Sequence, residues 1–219
     1  MYTGEWKMNN PETNDMSGKA EYSFYAMLDR MQYINRWGLM RNNRTENLKE
    51  HSMDVALVAH ALATIRNNIC LNGRTRVDPL FVMGAAILHD ASEIITGDLP
   101  TPIKYFNPEI TQAYKKVEGK ATDKLLSLLP EELRGDYRSL FCQDGTDPAQ
   151  TEAHILVKAA DRICAYIKCI TEEKSGNHEF ASAKQSVHAS IEKMNYPEVT
   201  YFMEHFIPAY GMNLDQISE

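Results

Sequence analysis

Basic residues are in short supply in this sequence. Against 30 acidic residues stand 23 lysines and arginines, a formal charge of −7, which removes the basic footprint that a nucleic-acid polymer requires. No polymeric nucleic acid is expected as a partner. A single small anion stays compatible, because one phosphate can be held by one or two arginines and a metal. Cysteine is also sparse: Cys70, Cys142, Cys164 and Cys169 show neither CxxC spacing nor the density of a disulfide scaffold, so all four are read as reduced thiols. No apolar run approaches the roughly 20 residues of a membrane span, and the opening MYTGEWKMNNPETNDMSGKA has no apolar core of the kind a signal peptide carries. No membrane partner is expected, and the expected location is the cytoplasm. A GxxxxGK loop for nucleoside triphosphates is absent as well.

Strand-like alternation is the last thing the sequence has little of. From Tyr22 onward apolar residues recur at three- and four-residue spacing, which predicts an all-α fold. The length suits one large domain, placed at 21–219 behind a polar, flexible extension at 1–20. A first helix is expected from about Tyr22 to Trp37, then the polar link RNNRTEN. Asn47 with Glu50 has the spacing of a capping box and opens the long helix KEHSMDVALVAHALATIRNN. A central helix, apolar enough to need cover on both flanks, is expected from about Pro79 to Ile95. Further helices follow at about Glu109–Leu129, Ala149–Glu173, Glu179–Met194 and Val199–Phe206. Pro130, Gly135, Gly145, Pro148, Gly176 and Pro197 punctuate them.

Within this apolar frame, three helices carry ionisable residues. His51 shares a stripe with Val55, Val58, Leu62 and Ile65, so it faces inward. Asp161 lies beside the apolar face of Val157, Ala160, Ile163, Cys164 and Ile167, where an isolated carboxylate is costly to desolvate and wants a cation. A neighbouring lysine, Lys158, is one candidate for it. His89 and Asp90 are adjacent, diverging by about 100° on a helix, which lets both reach an ion lying between them. Two imidazoles and two carboxylates suit a divalent transition metal. Glu93, three residues past Asp90, can exchange a proton with a metal-activated water or a leaving group.

The order His51, His89-Asp90, Asp161 on an all-helical chain resembles the HD superfamily of metal-dependent phosphohydrolases. The longer blocks INRWGLMRNNRTENLKEHS, HDASEIITGDLPTPIKYFN and VKAADRICAYIKC are similar to bacterial HD-domain 5′-deoxynucleotidases, from about Tyr25 to the C-terminus. The resemblance implies hydrolysis of deoxyribonucleoside 5′-monophosphates, with His51, His89, Asp90 and Asp161 holding one divalent ion (Co, Mn, Fe, Zn or Cu). It implies Glu93 as catalytic acid or base and Arg36 as the residue that orients the phosphate. Trp37, Asp98, Leu99, Pro100 and Thr101 would line the nucleotide pocket together with Asp90 and Asp161, Asp98 accepting from a sugar hydroxyl. Spacing alone leaves Arg41, Arg44 and Lys104 equally eligible as the phosphate cation, Trp37 eligible as the apolar end of the first helix, and Asp98 as a turn residue.

Two rival readings accompany this one: another HD enzyme, a nucleotide phosphodiesterase or triphosphohydrolase, which needs more cations at the site; and a non-catalytic, metal-stabilised binding module, which has no use for Glu93. The aromatic residues Tyr201, Phe202, Phe206 and Tyr210 near the C-terminus offer more apolar surface than a monomer usually exposes. A homodimer is expected, with core packing as the competing account.

Overall fold

The computed structural model describes residues 21–104, 106–141 and 147–218. The extension at 1–20 and Cys142 lie outside them. The described chain is helical: α1 Phe24–Asp29, α2 Leu48–Asn68, α3 Pro79–Leu88, α4 Glu93–Thr96, α5 Thr101–Lys104, α6 Pro108–Leu126, α7 Glu131–Phe141, α8 Pro148–Lys174, α9 Ala181–Glu192, α10 Pro197–His205 and α11 Leu214–Ser218, with short 3-10 turns between some of them. Among the described residues the only β pairing is one isolated antiparallel bridge, Asn35 with Asn47.

Local chemistry explains most boundaries. Asn47 caps α2: its side chain accepts from the Lys49 and Glu50 amides while Glu50 reaches back, the full capping box. Asp78, Asn107 and Asp147 cap α3, α6 and α8, each followed by a proline at the first helical position, where the missing N–H costs nothing. Pro148 and Pro197 therefore start helices. The expected first helix is shorter, ending at Asp29 and tightening into a 3-10 turn over Arg30–Tyr33.

Three further expectations need correcting. The stretch 131–141 was expected to lie between helices, yet α7 forms there; Pro130 precedes it and Gly135 sits on its surface with open space around it. The central helix does not run to Ile95. It stops at Leu88, and tighter i→i−3 bonds follow, His89 N–H to Ala86, Ala91 to Leu88 and Glu93 to Asp90. The His89 side chain causes this locally, its Nδ1–H donating to the Ala86 carbonyl at 2.7 Å, the acceptor that a continuing helix would offer to Asp90. The stretch Pro79–Thr96, with mean hydropathy 1.2 over 18 residues, does satisfy length and composition for a membrane span, unlike the expectation. Here it is broken in the middle and packs on α2, α7 and α8, although Leu80 and Ile87 stay exposed.

The break falls where two apolar cores meet. The larger is built from Val55, Ala59 and Leu62 of α2, Val82 and Ala86 of α3, Leu156, Ala160 and Ile163 of α8, and Ile191, Val199 and Phe202 of the last helices. The smaller gathers Phe24, Met31, Leu48, Leu88, Ala91, Leu125, Leu126 and Leu129. Each fully buried Leu or Phe contributes about 1.5–3 kcal/mol, so this second core fixes the N-terminal arm against the bundle. The polar residues at 89–93 lie at the junction, framed by apolar packing on both sides.

Candidate metal centre and active site

Four ligand-type atoms, one each from His51, His89, Asp90 and Asp161, lie within 4.8 Å of one another. Three segments deliver them, His89 and Asp90 arriving together on the turn after α3. The first turn of α2 carries His51, whose ring is fully buried. Its Nδ1–H donates to Glu46 Oε1 at 2.9 Å, which turns Nε2 toward Asp161 Oδ1 at 3.1 Å and Asp90 Oδ2 at 3.9 Å. His89 is oriented by its bond to Ala86, and its Nε2 faces Asp90 Oδ2 at 3.1 Å. Asp161 comes from mid-α8. It pairs with His51 and with Arg36, and among the described residues no ion pair joins it to Lys158.

The donor set fits a divalent transition ion on its chemistry. Both imidazoles have their Nδ1 protons committed elsewhere, leaving Nε2 for a ligand, the tautomer that metal sites use. His89 Nε2 is buried without a hydrogen-bond partner among the described residues. Burial opposes the Asp161 charge, but the adjoining His51 imidazole, with Nε2 at 3.1 Å, and the charge of Arg36 hold its carboxyl below the ordinary range. Asp90 is likewise held low against burial, by His89 first and then Arg36. Burial disfavours a charged His89, yet the Asp90 carboxylate raises its pKa to about 9. A proton and a metal therefore compete for the same nitrogen.

Around this cluster the remaining expected residues divide. Arg36 reaches it: Nη1 donates to Asp90 Oδ2 at 2.9 Å and Nη2 lies 3.6 Å from Asp161 Oδ1. Of the cations left open by spacing, it alone makes ion pairs with the cluster among the described residues; Lys104 is paired with Glu118 at 2.8 Å instead. Glu93 is buried, with Oε2 unpartnered among the described residues. Desolvation, reinforced by the charges of Asp90 and Asp98, pushes its pKa up to about 9. Asp98, on the loop after Gly97, is also raised by burial and the Asp90 charge, with Arg36 opposing. Gly97 has φ +75°, a conformation glycine adopts without strain, and it swings that loop back toward the site. Leu99 and Pro100 follow, half-buried, and among the described residues no polar contact ties them to the cluster. The side chain of Thr101 lies outside the described residues.

Trp37 is strained. Its φ is +59°, uncommon for a bulky residue and worth about 1–3 kcal/mol of local cost. The Met40 amide and the Asn42 side chain both donate to its carbonyl, and its ring packs on Phe180 at 5.3 Å. The chain beyond it is anchored to the end of α8, where buried Glu172 accepts from the Asn43 and Arg44 amides, Lys168 and Asn177. Those four donors outweigh burial and hold the Glu172 pKa down at about 2. Sequence reading missed Glu172, Phe180 and Glu46, because their partners are distant in the chain or stand on non-helical backbone.

With this geometry in place, similarity to known proteins identifies the lineage. A profile of the 5′-deoxynucleotidase YfbR-like family matches residues 23–210. The chain belongs to that family. A 5′-deoxynucleotidase of Shewanella oneidensis is 48% identical over 195 residues, covering 89% of this chain and 97% of that one. Another, of Vibrio cholerae, is 48% identical over 198 residues, covering 90% and 99%. Among solved structures, an HD-domain phosphohydrolase of Listeria innocua superposes with a TM-score of 0.71 at 22% identity, covering 90% of this chain and 95% of that one. The cyanophage S-2L HD phosphohydrolase DatZ, bound to dA and one catalytic Zn2+, gives 0.60 at 20% identity, covering 84% and 95%. At such identities the likeness concerns the fold, the all-helical HD fold.

Proposed function

We propose that the protein is a metal-dependent 5′-nucleotidase that hydrolyses deoxyribonucleoside 5′-monophosphates to deoxyribonucleoside and phosphate. The observation that carries this reading is the meeting, in a chain of this family, of four ligand-type atoms within 4.8 Å, with one arginine against two of them. His51, His89, Asp90 and Asp161 hold a single divalent ion, Co, Mn, Fe, Zn or Cu. Bound there, such an ion supplies positive charge for the phosphoryl oxygens and a water of lowered pKa.

The chain's own groups do the rest. Arg36 turns its guanidinium fork to the phosphoryl oxygens and stabilises the charge that develops on them. Glu93, carrying its proton at neutral pH, delivers it to the 5′ oxygen as a water oxygen bonds to phosphorus and the P–O5′ bond breaks, so the nucleoside leaves as an alcohol and the proton released by the attacking water restores the carboxyl. Trp37, Leu99, Pro100 and Thr101 line the sugar and base, and Asp98 accepts from the 3′-hydroxyl. A 2′-hydroxyl placed against the Trp37 ring loses its water without gaining a partner, a cost of about 1–3 kcal/mol or roughly 5- to 150-fold.

A phosphate-release panel on metal-loaded protein tests this reading. Deoxyribonucleoside 5′-monophosphates are expected to turn over well ahead of the ribonucleotides, 3′-monophosphates to fail, chelator to stop the reaction, and Trp37→Ala to narrow the sugar gap. Equal wild-type turnover of dAMP and AMP would defeat the sugar assignment, and unchanged turnover in chelator would defeat the metal assignment.

The working form is a homodimer in this reading. Phe202 is buried and Tyr201 partly so, but Phe206 and Tyr210 stay exposed beside Leu57, Met212 and Ile217, an apolar face that a second copy would cover. Light scattering should return twice the chain mass, and Leu57→Glu should halve it. A monomeric wild type rejects the dimer.

A further inference from the structure

The reaction just proposed leaves Glu46 without a part, yet this carboxylate touches both halves of the machinery. Its Oε1 accepts from His51 Nδ1 at 2.9 Å and lies 3.7 Å from Arg36 Nε. Its backbone carbonyl accepts from the Arg36 amide at 2.9 Å, the Leu48 amide donates to Ile34 at 2.9 Å, and Asn35 and Asn47 bridge. The segment bearing Arg36 is thus laid against the entry to α2, with Glu46 between the two. Both partners are deeply buried, His51 fully and the Arg36 side chain at 14% exposure. Neither is steered by solvent. Burial works against the Glu46 charge, but the bond from His51 keeps the group ionised. Oε1 accepts the His51 proton directly and attracts the Arg36 guanidinium by charge across 3.7 Å, where Nε has no hydrogen-bond partner among the described residues.

Building on the metal-phosphohydrolase reading, we infer that Glu46 is a positioning residue that aims His51 at the metal and Arg36 at the phosphate with one oxygen. Hydrogen-bond partners behind a ligating histidine fix its tautomer and ring orientation, and losing one typically costs about 10- to 100-fold in metal affinity. Held from behind, the His51 ring presents Nε2 rather than carbon to the cluster. The same carboxylate keeps the Arg36 stem against α2, so that the guanidinium projects over Asp90 and Asp161. Metal retention and phosphate alignment are coupled through this side chain.

Two substitutions separate the jobs. Glu46→Gln keeps a carbonyl for His51 but removes the charge that attracts Arg36; Glu46→Ala removes both. Co2+ titration followed by visible absorption, steady-state kinetics with dAMP at saturating Co2+, and thermal melting give independent readouts. The inference expects Glu46→Ala to bind Co2+ about 10- to 100-fold more weakly and to raise KM. Glu46→Gln should retain near wild-type Co2+ affinity and spectrum while KM still rises. If Glu46→Ala does not fold, Glu46→Asp, which withdraws the oxygen from both partners, must show both losses. A Glu46→Ala protein with lowered melting temperature but unaltered Co2+ affinity and KM overturns the inference alone. A wild type that takes up no Co2+ overturns the metal-centre reading and this inference with it.

Discussion

Asp161→Asn and His51→Gln are each expected to abolish phosphate release and to lower bound metal in the same preparations. Asp161 Oδ1 sits 3.1 Å from His51 Nε2 and 3.6 Å from Arg36, so it is the point at which α2, α8 and the Arg36 segment meet. Asparagine nearly matches its shape but offers a neutral oxygen, and a divalent ion held by two imidazoles loses half of its anionic ligands. In His51→Gln the amide cannot serve Glu46 and the cluster together as the imidazole does through its two nitrogens. Chelator should reproduce the loss in wild type and added metal should reverse it, whereas added metal should not rescue either variant at wild-type concentrations. Elemental analysis alongside the assay is the check. Full metal occupancy in both inactive proteins would sink the four-ligand assignment and leave those residues a different part in the reaction.

How the sequence foreshadowed this arrangement differs from residue to residue. His51 could be placed because its stripe with Val55, Val58, Leu62 and Ile65 runs through a helix whose cap, Asn47 with Glu50, is also written locally. Asp161 could be placed for the same reason, inside α8, whose bounds Pro148–Lys174 lie within a residue of the expected ones. The stop at Leu88 could not, because hydropathy stays high through Ile95 and the interruption comes from a side chain, His89, competing for a backbone carbonyl. The helix α7 was obscured by Pro130 and Gly135, which mark a boundary in one case and an exposed helix surface in the other. Glu46 was hidden in a polar link. Its role depends on a bridge to residues about ten positions earlier in the chain, and no periodicity reports a pairing between two irregular segments. The distant anchors Glu172 and Phe180 were hidden for the same reason, since they act on the Trp37 segment from more than a hundred residues away.

Glu93→Gln and Glu93→Ala should retain metal and substrate binding while kcat falls by about 10²–10⁴-fold, the usual worth of a general acid or base. The carboxyl is buried at the junction of the two cores, and desolvation together with the charges of Asp90 and Asp98 raises its pKa to about 9, so the folded protein holds a proton there that an exposed glutamate gives up near pH 4.5. Activity that needs this proton is present below the raised pKa and lost as pH rises through it. A cation on Asp90 offsets one of the two charges responsible, so in the metal-loaded enzyme the alkaline limb of kcat should fall below pH 9. The same shift has a signed effect on stability: because the unfolded chain releases the proton at lower pH, wild-type stability declines from about pH 4.5 upward toward 9 on this group's account. Glutamine mimics the protonated form and cannot ionise. Glu93→Gln should therefore be more stable than wild type at neutral and alkaline pH even as it loses turnover and the alkaline limb together. Denaturant midpoints at pH 5 and pH 8, set beside pH–rate profiles, distinguish the proton donor from a residue that only packs: near-normal kcat in Glu93→Gln removes Glu93 from the chemistry, and loss of metal in that variant makes it a ligand instead.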